Sequence, residues 1–255
     1  MEKWRIKLVF LLTILNTIGV FAIIPYSITL MESQTLSGDL PNLLIVIINS
    51  TFQIVYMFVL ILIGLKLQQH TSLEVPLLNG LVYPEKKVHI SKQWIINSVV
   101  GALIGSIIII LLELFLFKPL MGTPINELPS TNWWQGLLAS LYGGITEELM
   151  LRLFGMTFIV WLLAKITRKN KSNIPNSFYY VAIFIAAIIF GLGHLPATME
   201  VFGELSAILV IRALVLNGLL GLWFGYLYWK KGLEYAIIAH ISADIFIHVL
   251  FALIV

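Results

Sequence analysis

Apolar residues along this chain do not alternate with polar ones; they gather in long runs separated by short basic or acidic connections. Seven runs stand out, at residues 8–30, 40–65, 94–117, 133–164, 178–195, 205–229 and 235–255. A stretch of roughly 18 or more apolar residues is long enough to cross a bilayer as a helix. Hydrocarbon has no water to bond the backbone, so each run must close its hydrogen bonds within itself. A barrel would show alternation, which is missing here. The pattern therefore predicts an all-α, polytopic transmembrane helix bundle of about seven spans. The fourth run is the exception in length: as a straight helix it would extend ~48 Å, more than the ~30 Å hydrocarbon core. It is expected to tilt, to kink near Gly143 and Gly144, or to divide and give an eighth span.

Composition sharpens the picture. Of the 255 residues 59% are apolar and 11% charged, against roughly 25% charged in soluble domains, so a water-soluble globular protein is excluded. The chain holds no cysteine, which excludes thiolate catalysis and Cys-ligated metal. The Lys and Arg residues are spread along connections and form no patch for nucleic acid. Alternate connections differ sharply in charge: 13 cations, among them Lys3, Arg5 and Lys7, Lys66, Lys86, Lys87 and Lys92, Lys165 to Lys171, and Lys230 with Lys231, share one side. The other side has Lys118 with Glu32, Asp39, Glu127, Glu200 and Glu204. Lys and Arg are retained in the cytoplasm, which predicts a cytoplasmic N-terminus and an outside C-terminus. The first run, 23 uncharged residues with no small-residue cleavage site after it, reads as an anchor rather than a signal peptide. Trp133, Trp134, Phe178, Tyr179, Tyr180, Tyr226, Tyr228 and Trp229 near span ends read as headgroup-level anchors. One integral membrane domain, 1–255, is expected, with 1–130 supplying three spans and 134–255 the candidate chemistry.

Charge at mid-membrane costs ~2.5 to 3.5 kcal/mol per residue on insertion scales, so each intramembrane ionisable group needs a partner, a cavity or a task. Nine are read: Glu113, Glu147, Glu148, Arg152, His194, Arg212, His240, Asp244 and His248. Glu148 and Arg152 stand at i and i+4, on one helix face, where an ion pair offsets their desolvation. Glu147 is then left over, free to face a cavity as a general base; the alternative is a charge network that locks the bundle. In Phe190-Gly-Leu-Gly-His194, two glycines remove bulk beside the histidine, which lets a helix or a substrate backbone come close. His240 and Asp244 are again i and i+4, so the carboxylate is expected to hold the imidazole as support for a catalyst, a metal ligand or a polar stitch between helices. Glu113 and Arg212 read as structural charges that can pair with each other, with lipid headgroups or a substrate carboxylate as the alternative partner of Arg212. Counting residues puts His240 only ~14 Å along the helix from Lys231, against ~32 to 35 Å for Glu147 and His194 from their own basic loop. A strong tilt or a recessed hairpin must bring them level.

Glu-Glu-x-x-x-Arg, then Phe-x-x-x-His, then His-x-x-x-Asp, in that order on three motif-bearing spans, resembles the CPBP family, the CAAX-processing and bacteriocin-processing (Abi) intramembrane proteases. The resemblance covers roughly residues 134–255. It implies an intramembrane endopeptidase acting on a CAAX-type C-terminal, leader, pheromone or bacteriocin-type peptide. Glu147 would be the catalytic base with Glu148 and Arg152 beside it, His194 a second water-activating group, and His240 and Asp244 the donors to the transition state. An ionised Asp244 only accepts hydrogen bonds, which departs from the Asn that the family also uses. A metal reading takes His194, His240 and Glu147 as ligands of Zn²⁺ with a position open for water. The metal-free glutamate mechanism, with no cofactor, is preferred because no helix-borne His-Glu-x-x-His is present. Aspartyl and rhomboid-like types fail, since Asp39 and Asp244 are the sole aspartates and no span carries a suitable Gly-x-Ser with a histidine partner. The partners implied are a peptide or protein substrate and the lipid bilayer, with no nucleic acid; the oligomeric state is unset. Two other classes remain open: a non-catalytic membrane protein that binds partners, as in bacteriocin immunity or sensor regulation, and a proton-coupled transporter relaying through Glu147, His194 and Asp244.

Overall fold

The computed structural model describes residues 3–32, 42–84, 88, 90–121 and 131–251. Leu40 and Val255, the outer ends of two predicted runs, lie outside these residues, as do Asp39, Lys86, Lys87 and Glu127 of the charge count. Among the described residues there is no strand, and seven helical segments are long and apolar enough to cross a membrane: Ile6–Leu30, Leu44–Gln68, Lys92–Met121, Trp133–Ile166, Asn176–Phe202, Ala207–Lys231 and Leu233–Leu250. They are called the first to seventh spans below. The protein is an integral, multi-pass membrane protein built as an all-α bundle.

The fourth span does not divide. It runs as ordinary helix over Trp133–Leu141, as wider π-helical turns over Tyr142–Glu147 and Leu149–Met156, and as ordinary helix again over Thr157–Ile166. The predicted irregularity at Gly143 and Gly144 thus takes the form of π turns, which occur often at functional sites. Both glycines are buried because the seventh span crosses here. A Cβ on Gly144 would strike the Ile241 side chain and come within 3.2 Å of the Ile237 carbonyl, and one on Gly143 would run into the Asp244 carboxylate. Gly191 in the fifth span does the same for the sixth, where a Cβ would lie 2.7 Å from Leu214 Cα. Gly193, by contrast, faces open space, so the two glycines before His194 have different jobs.

The core runs through the spans on apolar faces that include Leu12, Met57, Ile61, Leu149, Leu153, Phe224 and Ala239, all fully buried. Outward faces carry exposed apolar residues such as Phe10, Phe52, Phe115 and Phe184, as a lipid solvent permits. Two predicted headgroup anchors are instead interior. Tyr228 is fully buried and hydrogen-bonded to Thr157 (2.8 Å) and Gln68 (3.3 Å). Tyr179 is also buried, with its hydroxyl on Ser72 Oγ at 2.5 Å and its ring stacked on Trp229. Ser72 of the connection after the second span covers Tyr179, while Tyr228 is enclosed by Gln68 at the end of the second span and Thr157 of the fourth. Trp133, Trp134 and Tyr180 remain exposed.

That same connection explains the depth of His240. Its short helix Pro76–Val82 is held by Glu234, whose carboxylate accepts a hydrogen bond from the Leu78 N–H at 2.7 Å, and by the Leu233 N–H donating to the Glu74 carbonyl at 3.1 Å. Leu233, Glu234, Tyr235 and Ala236 are all buried. The turn into the seventh span is a hairpin recessed under protein, so distance from Lys231 does not measure distance from the surface. Glu234 is a buried carboxylate that the count of intramembrane charges left out; its signal was an acidic residue in the first turn of a helix, flanked by Leu233 and Tyr235.

Candidate active site

Motif residues from the fourth and seventh spans meet directly. Glu148, Arg152 and His240 form the buried floor, with Glu148 and Arg152 fully inaccessible. Glu148 turns one carboxylate oxygen to Arg152 Nε at 3.3 Å and the other to His240 Nδ1 at 2.9 Å. Arg152 also donates through a terminal nitrogen to the Gly221 carbonyl at 3.1 Å. The guanidinium lies over Phe190 and Phe224, 5.3 and 5.7 Å from their ring centres, a cation–π setting that replaces part of its lost hydration.

Above this floor lie two half-buried carboxylates. His240 Nε2 is 3.7 Å from Glu147 and 3.8 Å from Asp244, whose side chains are 18% and 17% exposed. These separations are longer than a direct hydrogen bond and suit contact through one water. The expected division of labour between the carboxylates is corrected in one respect. Asp244 does not hold His240 through a hydrogen bond; Glu148 does, because the π turns rotate the fourth span so that Glu148 meets Nδ1 while Asp244 stays near the far nitrogen. With Nδ1–H donated to Glu148, a neutral ring presents Nε2 as an acceptor between Glu147 and Asp244.

His194 sits where the fifth span breaks, between helices Asn176–Gly193 and Leu195–Phe202. Its Nδ1 lies 2.9 Å from the Phe190 carbonyl, an oxygen that only accepts, so this nitrogen carries the proton and Nε2 is left free. The Phe190 ring meets His194 and His240 edge-on at 4.8 and 5.3 Å between centres. Among the described residues His194 makes no hydrogen bond to Glu147 or His240; the aromatic ring of its own motif joins it to the cluster. Phe224 stacks on His240 at 4.4 Å. Nothing in the sequence marked Phe224 out, since it stands in an apolar helix without a motif; the glycines at 221 and 225 on the same helix were the only hint that a neighbour approaches there.

Tyr142 is a further polar residue that sequence reasoning passed over. It begins the π turn that ends at Glu147, and its hydroxyl accepts from Gln53 Nε2 of the second span at 2.5 Å. His248, one turn beyond Asp244, lies edge-on to Tyr26 at 6.5 Å between ring centres and is close enough to His194 and His240 to interact electrostatically with both. Glu113 and Arg212 do pair, away from the cluster, through two hydrogen bonds of 2.8 and 3.0 Å.

Among the described residues no three His, Asp or Glu side chains stand so as to hold an ion. Nδ1 of each histidine is engaged by an oxygen, of Phe190 for His194 and of Glu148 for His240, which leaves both Nε2 atoms free.

The model of the family described as type II CAAX prenyl endopeptidase Rce1-like matches residues 129–246, just under half of the chain. No curated protein and no solved structure matches.

Proposed function

We propose, from the match of residues 129–246 to the type II CAAX prenyl endopeptidase Rce1-like family, that this membrane protein hydrolyses a peptide bond with a water activated by Glu147. A family of CAAX-type proteases implies intramembrane endopeptidase activity and a peptide substrate. The single observation that carries the finer reading is the meeting of the first and third motifs on His240, tied through Nδ1 to Glu148 and facing Glu147 through Nε2.

In this reading a water between Glu147 and His240 Nε2 loses a proton to Glu147 as its oxygen attacks the scissile carbonyl. His240, its ring oriented by Glu148, acts in its doubly protonated form, held among three carboxylates: Nε2–H donates to the developing oxyanion, and His194 supports the water from the open side. The proton on Glu147 then passes to the leaving amine. Arg152 neutralises Glu148 and positions it, so the pair acts through His240 rather than on substrate. Asp244 borders the cavity as an acceptor for substrate N–H groups. No metal takes part in these steps. The basic connections face the cytoplasm in this reading, with the N-terminus inside and the C-terminus outside. A CAAX-type C-terminal peptide is the first substrate to try; leader or bacteriocin-type peptides are the next.

The test is proteolysis of a quenched CAAX-type peptide by purified protein in detergent, for wild type and Glu147→Gln, with and without a strong chelator. Cleavage by wild type, unaffected by chelator and lost in the variant, is expected. Cleavage lost on chelation and restored by Zn²⁺ would overturn the glutamate mechanism. Wild-type biological function retained in Glu147→Gln and His194→Ala would overturn catalysis in favour of partner binding.

A further inference from the structure

On the lysine-rich side of the bundle, well away from the motif residues, a cavity of about 560 Å³ opens between the end of the sixth span and the start of the third. Its size is within the ~300 to 1,000 Å³ typical of ligand pockets. Lys230 and Lys231 line it from the sixth span, Ser91 and Trp94 from the third, Tyr235 from the seventh, and Glu74 and Pro76 from the folded connection. The walls are fixed: Tyr235 Oη accepts from the Ser91 N–H at 3.2 Å, and the Leu233 N–H donates to the Glu74 carbonyl.

The lysines there differ from the intramembrane arginines and share their aromatic setting with Lys7 and Lys165, which lie over Tyr83 and Trp161. Arg152 and Arg212 each face a carboxylate, whereas among the described residues Lys230 and Lys231 have none within ion-pair distance. They rest instead over aromatic rings, Lys230 Nζ 3.4 Å from the Trp229 ring centre and Lys231 Nζ 4.3 Å from that of Trp94. The Gly232 N–H bonds the Leu227 and Tyr228 carbonyls near the end of this helix. Among the described residues the charged lining side chains, two lysines and Glu74, sum to +1, the complement of one phosphodiester. The third span leaves the cavity with exposed Ile96, Val100, Leu103 and Ile107 along one face, at i, i+4, i+7 and i+11, an apolar strip suited to acyl chains.

We propose that this cavity binds the headgroup of an anionic membrane phospholipid of phosphoglycerol chemistry. The lysines take the phosphodiester, and Glu74 accepts from a headgroup hydroxyl. Basic pockets between transmembrane helices on the cytoplasmic side are suited to anionic headgroups. A headgroup clamped here also bridges the third, sixth and seventh spans, the last of which begins at the same turn and carries His240.

Native mass spectrometry of the full-length protein in detergent, titrated with phosphatidylglycerol or phosphatidylcholine, tests the site. Wild type is expected to retain phosphatidylglycerol at least fivefold better than phosphatidylcholine. Lys230→Gln with Lys231→Gln should reduce phosphatidylglycerol retention at least fivefold, while Lys165→Gln with Lys169→Gln, an equal change of charge, stays within about twofold. A thermal melt of each variant confirms that it is folded, so that lost retention reports on the site. Equal retention of the two lipids, or unchanged retention in the Lys230 and Lys231 variant, overturns the proposal. Displacement of the lipid by millimolar inorganic phosphate overturns the lipid as ligand and assigns the site to free phosphate.

Discussion

Two arginine–carboxylate pairs cross between or within spans of this bundle, and they are built on opposite plans. Arg212 and Glu113 meet fork to fork, with hydrogen bonds of 2.8 and 3.0 Å, and both side chains are a little over one-fifth exposed. Each charge uses up the other. A π turn over Glu113–Phe117 presents the glutamate, and Phe202 lies against the guanidinium at 5.5 Å. Arg152 and Glu148 are fully buried, touch through one contact of 3.3 Å, and divide their remaining capacity among His240, Gly221 and two aromatic rings. Arg152 Nε and Nη1 and Glu148 Oε2 have no well-directed hydrogen bond although they are buried. Such unmet capacity is expensive in a dry interior. A bidentate pair is a sufficient reason for its own existence; a pair that leaves groups unmet while orienting a third residue points to that residue as its purpose.

The comparison breaks most sharply at Glu147. Glu147→Gln should lower kcat on a cleavable peptide by about 10³-fold, within the 10²- to 10⁴-fold range of general-base catalysis, with expression and thermal stability unchanged. A loss of stability equal to the loss of activity would make the residue a structural charge. Next in size, Arg152→Met leaves Glu148 buried without compensation and should destabilise the fold by about 3 to 5 kcal/mol. The double variant with Glu148→Leu should recover stability without activity, which unfolding in detergent and the peptide assay would separate. Gly143→Ala intrudes on Asp244 and comes within 3.1 Å of His240 Nε2, so kcat should fall at least tenfold while the apolar core holds. Arg212→Met, breaking the partly exposed pair, should cost about 1 to 2 kcal/mol, between the exposed and buried cases, with cleavage within about twofold of wild type. If Arg212→Met abolished cleavage, the two pairs would not differ in purpose. The smallest effect is expected at Gly193→Ala, which meets open space and should change stability by under about 1 kcal/mol.

Legibility differed between these regions for physical reasons. Glu113 and Arg212 were paired from sequence because two opposite charges in apolar runs have few other ways to avoid exposure to hydrocarbon. Glu148 and Arg152 were placed together by helical spacing, and spacing also left Glu147 free. The same i, i+4 rule gave the wrong partner for His240, because Asp244 on its own helix competes with a carboxylate from another helix, and local spacing does not see the second. Tyr228 and Tyr179 looked like boundary residues from their place in the runs, yet contacts from distant segments buried both: the folded-back connection at Tyr179, and the second and fourth spans at Tyr228. Glu234 escaped notice for the same reason: only the recessed turn made its position interior.

By itself the amino-acid sequence determined that this is a helical membrane bundle of about seven spans and most of the few polar residues that had to find partners. Both follow from one local fact, that hydrocarbon solvates neither backbone nor charge, so run length and intramembrane charge are read directly. Tertiary structure alone decided which of three carboxylates grips His240, which face of the imidazole is free, and how a histidine nine residues from Lys231 reaches Glu147. Those outcomes depend on where π turns rotate one helix against another and on a connection folding over a hairpin, and such contacts between distant segments leave no periodicity in the chain.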